Sequence, residues 1–228
     1  MARLLDGDSI RAITFDLYDT LFDERSIVDF AEQYFPGKGE RLVALWQHKR
    51  QEYAWLTSLM ERYEDSWKLA GRALEFAAKS LGISLDAEQK EALLRASLEL
   101  EPFPEAAQAL NDLRSCRLAI LTNASPPMYN PPLGNSGFAD SFDAVFSSHE
   151  VQTYMPDPRV YRLAGRKLGL VPERLLLVSA QPSDVNGAKS CGLQACWVNR
   201  KGAQWDGLGF VPDMTVGDLR ELVEIVNA

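Results

Sequence analysis

Hydrophobic and polar residues fall into three patterns along this chain. Residues 10–15, Ile-Arg-Ala-Ile-Thr-Phe, are apolar and partly β-branched, broken only by Arg11 and Thr14. Such a run predicts a strand at the centre of a parallel sheet. Residues 24–101 read as mostly helical. From 41 to 63, Leu42, Leu45, Trp46, Tyr53, Trp55, Leu56, Leu59 and Met60 recur at largely helical spacing with charged residues between them. The pattern repeats over 65–82, closed by Gly82, and over 86–100, with Asp86 as N-cap, until Pro102 and Pro104 break it. From Glu105 the period alternates. Helices are expected at 105–115, 158–168, 183–191 and 217–226, and strands at 117–121, 144–147, 175–178 and 195–198. Strands separated by helices of this length predict right-handed βαβ units. The fold class is therefore α/β, a doubly wound parallel sheet with helices inserted after the first strand. Residues 1–22 and 103–228 form the expected core, and 23–102 the helical insert.

In such a sheet, ligands sit beyond the carboxyl ends of the strands. Asp16 ends the first strand, Thr122-Asn123 the second, and Ser179 opens the polar run through Asp184. Singly, each cluster reads as a polar turn or a helix cap, and Ser183 is expected to cap in part. Together they place three polar groups at converging strand ends.

Composition narrows the partners. The 228 residues carry a net charge of −8 with no basic block, which excludes nucleic acid and anionic membrane as expected partners. No apolar run is long enough to span a bilayer, and no signal peptide is expected. Cys116, Cys191 and Cys196 are odd in number and lack metal-type spacing, as for reduced thiols in a cytoplasmic protein. No metal and no cofactor is expected.

Phe15-Asp16-Leu17-Tyr18-Asp19-Thr20-Leu21-Phe22 resembles the first motif of the haloacid dehalogenase superfamily, with the Tyr typical of its (S)-2-haloacid dehalogenase branch. Residues 121–126 resemble the second motif, 151–161 the third and 178–184 the fourth, while 45–49 and 52–56 resemble the first helices of that branch's cap domain. The resemblance implies that Asp16 is a nucleophile forming an ester at C2 of a small 2-substituted carboxylate, which water then hydrolyses. It further implies that Thr122 grips the substrate carboxylate with backbone amides near Leu17 and Tyr18. Tyr161, Ser179 and Asp184 would orient the nucleophile or the water, Asn123 would lie beside the leaving group, and the chain would form a homodimer, for which the aromatic insert face is suited.

Three positions depart from the dehalogenase pattern. Gln47 stands for the Arg that receives the halide, Met155 for a Lys, and Asp19 for a Gly. Two positive charges are lost and one negative gained. Gln181 for Asn and Ser183 for Trp are further changes. A halide wants a cation or donors aimed at it, whereas this pattern suits a protonated amine, held by Asp19 and assisted by His48. The leading expectation is therefore ring-opening hydrolysis of L-azetidine-2-carboxylate to 2-hydroxy-4-aminobutyrate, a reaction for which a related branch is known. The alternatives are an (S)-2-haloacid dehalogenase and a catalytically inactive binding protein. A Mg-dependent phosphatase fits less well, because Tyr18 occupies the usual general-acid position.

Overall fold

The computed structural model describes residues 10–206 and 208–228; the first nine residues of the expected core segment lie outside the described residues. β1 (Ala12–Phe15) is followed by the two-residue β2 (Phe22–Asp23) and four helices: α1 (Arg25–Tyr34), α2 (Gly39–Leu59), α3 (Ser66–Ser80) and α4 (Ala87–Ala96). The chain returns through β3 (Glu101–Pro102), which pairs antiparallel with β2 where the helical segment leaves and re-enters. The rest runs α5 (Ala106–Asp112), β4 (Arg117–Thr122), α6 (Pro126–Asn135), β5 (Ala144–Ser147), α7 (Pro158–Leu168), β6 (Leu175–Ser179), α8 (Pro182–Ser190), β7 (Gln194–Val198), β8 (Met214–Val216) and α9 (Leu219–Val226).

The six strands of the main sheet lie in the order β5-β4-β1-β6-β7-β8, and every pairing is parallel. β1 lies between β4 and β6 and is buried on both faces, which is why its sequence is a continuous apolar run rather than an alternation. The order reverses direction on either side of β1, so a crevice opens at its carboxyl end.

Local chemistry sets the element ends. Asp86 caps α4 in a capping box with Gln89, and Asp157 with Pro158 opens α7, which Gly169 closes at φ +68°. α4 stops at Ala96, short of the expected residue 100, and Gln181 rather than Ser183 takes the N-cap position of α8. Ser183 lies inside that helix and bonds elsewhere. α2 packs on α3 through Trp46, whose Nε1 donates to Ala70 O at 2.8 Å.

Candidate active site

The helices between β2 and β3 lie over the carboxyl end of the sheet. Polar clasps join them to it. Gln51 Nε2 on α2 donates to Ser183 Oγ on α8 at 3.2 Å, and the Ser125 N–H donates to Ser66 Oγ at 2.8 Å. Between the two layers is a cavity of about 390 Å³.

Of the residues singled out by sequence, Asp16, Tyr18, Asp19, Gln47, His48, Thr122, Asn123, Gln181 and Asp184 line this cavity. Asp16 directly follows β1, Thr122 ends β4, and Asp184 lies in the first turn of α8 beyond β6. Parallel pairing of β1 with both neighbours brings these ends to one point.

The strand ends are fastened from behind. Thr20 Oγ1 accepts from the Ala180 N–H at 2.9 Å, tying the turn after β1 to the turn after β6. Thr122 Oγ1 accepts from the Ala124 N–H at 3.1 Å, and Asn123 Oδ1 from the Met155 N–H at 2.7 Å. Arg200, stacked 3.6 Å from the Phe103 ring centroid, donates to Thr20 O and pairs with Glu105. These bonds hold the side chains before any ligand arrives, which limits the reorganisation a reaction must supply.

Asp16 and Asp184 are each only 5% exposed. Burial pushes the Asp16 carboxyl well above the usual carboxylate range; the charges of Asp184 and Glu24 add to this, while the Leu17 N–H and Arg50 oppose it. Burial likewise lifts Asp184 to about 7, against hydrogen bonds donated by Ser183 and Ser179. Ser179 Oγ reaches Asp184 Oδ2 at 3.4 Å, and Tyr161 Oη donates to the Asp184 backbone oxygen at 3.0 Å.

Four of the expected residues do not line the cavity. Ser179 and Tyr161 are buried behind Asp184 and position it. The Leu17 side chain belongs to the main core, and its N–H bonds the Asp16 carboxyl. Met155 corrects an expectation. It is 1% exposed and packs with Val160, Tyr161 and Leu163, because a thioether gains nothing by turning to carboxylates and much by burial. Only its backbone serves the site, accepting from Trp55 Nε1 at 3.2 Å and donating to Asn123.

Asp19 has two roles. Its φ of +56° is a conformation that Gly adopts without cost, so the turn tolerates Asp rather than requiring it. Its carboxylate lines the cavity and also pairs with Lys201 Nζ at 3.3 Å. His48 is at the rim, its side chain 72% exposed and 3.9 Å from Glu52.

Sequence reading missed Glu24 and Arg50. Arg50 Nη2 donates to Glu24 Oε1 at 3.0 Å inside the cavity. Arg50 follows Gln47 by one helical turn, so its helix face was legible; Glu24 follows a two-residue strand and left no signal.

Comparison with known proteins follows the same lines. The profile of the haloacid dehalogenase-like hydrolases matches residues 10–192. The chain is 42% identical over 220 residues to an (S)-2-haloacid dehalogenase of Pseudomonas sp. (strain YL), covering 96% of this chain and 95% of that protein. It is 39% identical over 219 residues to haloacetate dehalogenase H-2 of Moraxella sp. (strain B), covering 95% and 98%. The crystal structure of L-2-haloacid dehalogenase from Xanthobacter autotrophicus with chloropropionic acid covalently bound superposes with a TM-score of 0.91 at 33% identity, covering 96% of this chain and 99% of that one.

Proposed function

This chain belongs to the haloacid dehalogenase-like hydrolases, and from that premise we propose that it hydrolyses a small 2-substituted carboxylic acid through an ester on Asp16. The observation that carries the reading is the buried Asp16–Asp184 pair facing the cavity between the sheet and the helical segment. Asp16 attacks C2, and the C2–substituent bond breaks with its electron pair leaving on the substituent. Water then adds to the Asp16 carboxyl carbon, Asp184 takes the proton, and the ester opens to a 2-hydroxy acid. The helical segment 23–102 acts as the cap that keeps bulk water out. A second copy of the chain is proposed as partner, supported by the exposed Trp55, Leu56, Leu59 and Met60 on and just after α2.

The names of the relatives support halide as the leaving group, so the first reading is a 2-haloacid dehalogenase. A specific observation favours a second, the ring-opening of azetidine-2-carboxylate. Asp16, Asp19, Glu24 and Asp184 line the cavity against one guanidinium, a balance suited to a cationic amine leaving group. Mass spectrometry of products from 2-chloropropionate and azetidine-2-carboxylate, side by side, separates the two. Hydroxy-acid formation with chloride release from the first acid alone establishes the dehalogenase. Gain of one water by the cyclic amino acid, weakened in Asp19→Gly, establishes the amine reading. Turnover of neither overturns both.

The raised carboxyls set a pH dependence. Asp16 must be ionised to attack, so kcat/KM rises with pH beyond the ordinary carboxylate range. Asp184 must be ionised to take the proton of water, so the hydrolysis step, and kcat where it limits, levels off only above about 7. Asp184→Asn removes the negative charge beside Asp16. The remaining activity is therefore expected to level off at lower pH, read from a pH–rate profile. The linked stability has the opposite sign. The folded state holds protons that the unfolded chain has released, so stability falls as pH rises from the ordinary carboxylate range to about 7.

A further inference from the structure

The α2 residues Gln47, Arg50, Gln51 and Ala54 all turn toward the cavity, at the spacing of one helix face. Among the described residues lining the cavity, Arg50 is the one Lys or Arg side chain. Facing it are four carboxyls, so among the charged walls of this space Arg50 is the one that attracts an anion. The guanidinium is already organised for the task. It lies 5.1 Å from the centroid of the Tyr18 ring and donates one hydrogen bond to Glu24 Oε1. A guanidinium has five N–H groups, and a planar anion takes two of them. The two partners are unequally accessible: the Arg50 side chain is 21% exposed and the Glu24 side chain 5%. Both charges reach the nucleophile, Glu24 raising the Asp16 pKa and Arg50 lowering it.

We propose that Arg50 is the anion receptor of the cavity and that Glu24 is its resident counter-ion, competing with any anionic ligand for the guanidinium. The ligand class is a small monoanion, either the carboxylate of a short-chain acid or a halide. The substrate assignment rests on the function proposed above. The receptor itself does not, because it is read by binding rather than by turnover.

The test is calorimetric titration of the wild-type chain, Arg50→Gln, Glu24→Gln and the double variant with sodium propionate, with propionamide of the same shape but no charge, and with sodium bromide. Wild type is expected to bind propionate and to bind propionamide far more weakly. Arg50→Gln weakens propionate by roughly ten- to a hundredfold, the scale of a charge-assisted hydrogen bond. Glu24→Gln, which frees the guanidinium of its competitor, tightens it. This opposition of sign is what a purely structural ion pair would not produce. If Arg50→Gln leaves Glu24 buried without a partner and fails to fold, the double variant removes both charges and is expected to fold and bind weakly. Bromide that displaces propionate from wild type but not from the double variant identifies halide as a ligand of the same receptor, and no displacement leaves the carboxylate as its ligand. Equal loss of binding in Glu24→Gln and Arg50→Gln overturns the proposal. So does wild-type affinity in Arg50→Gln or in the folded double variant, or equal binding of propionate and propionamide by wild type. Absence of turnover on both candidate acids, with the titration as expected, would refute the reaction and keep the receptor.

Discussion

Asp16→Asn is expected to lower turnover of any 2-substituted acid by at least about 10⁴-fold, because Asp16 is the carboxylate proposed to form the ester, and loss of a nucleophile in comparable enzymes costs on the order of a millionfold. The same substitution is expected to raise the melting temperature at pH 8. Asp16 is 5% exposed, its carboxyl is pushed up by burial, and its charge repels that of Asp184. Asn keeps the shape and can still accept from the Leu17 N–H, but it carries no charge to desolvate. The gain should fade as the pH is lowered and the wild-type carboxyl takes up its proton. Product analysis and calorimetric melting on one preparation read both effects. Unchanged turnover would remove Asp16 from the chemistry, and a lower melting temperature at pH 8 would show that its charge is stabilised rather than strained.

Gly187→Ala is expected to damage stability and catalysis together. A Cβ at this position of α8 would lie 2.2 Å from Tyr161 Oη and 2.7 Å from Pro156 Cβ. Tyr161 is fully buried on α7 and cannot swing away, so the ring or α8 itself must shift. Overpacking costs about 1–3 kcal/mol and the lost bond from Tyr161 Oη to Asp184 O about 1 kcal/mol. For a chain of this size the melting temperature falls by roughly 5–15 °C. Asp184 moves with its helix, and a misplacement of about 1 Å costs about a hundredfold in rate. Gly71→Ala on α3 is the control. Its Cβ would meet nothing closer than 3.7 Å, so stability is expected to hold or rise by up to about 1 kcal/mol. Equal melting temperatures for Gly187→Ala and wild type would contradict the packing argument.

What was legible in the sequence had local causes. β1 announced itself because a strand buried on both faces must be apolar throughout. The bounds of α7 followed from Asp157-Pro158 and Gly169, residues whose own backbone preferences start and stop a helix. Asp16, Thr122, Asn123 and Asp184 could be named as a group because parallel strands end on the same side. Where local chemistry and tertiary packing disagree, the sequence misled. Pro126 and Pro127 suit a first helical turn. Pro131, Pro132 and Gly134 argue against its continuation, yet α6 runs on to Asn135 with Met128, Pro132 and Leu133 buried. β2, β3 and β8 are too short for any periodicity to show.

The site divides in the same way. The side-chain chemistry of Asp16 and the αL tolerance of the turn at Asp19 belong to residue type and position in the chain. Which cation serves the cavity does not. Arg50 is one of several charged residues on an amphipathic helix and reads as solvated until α2 is laid across the sheet, which turns that face inward and sets it against Glu24, 26 residues away. Met155 shows the converse, a residue at a site position in sequence that packing draws into the core. Charge balance in a cavity is a sum over walls contributed by distant segments, so it exists only once those segments meet.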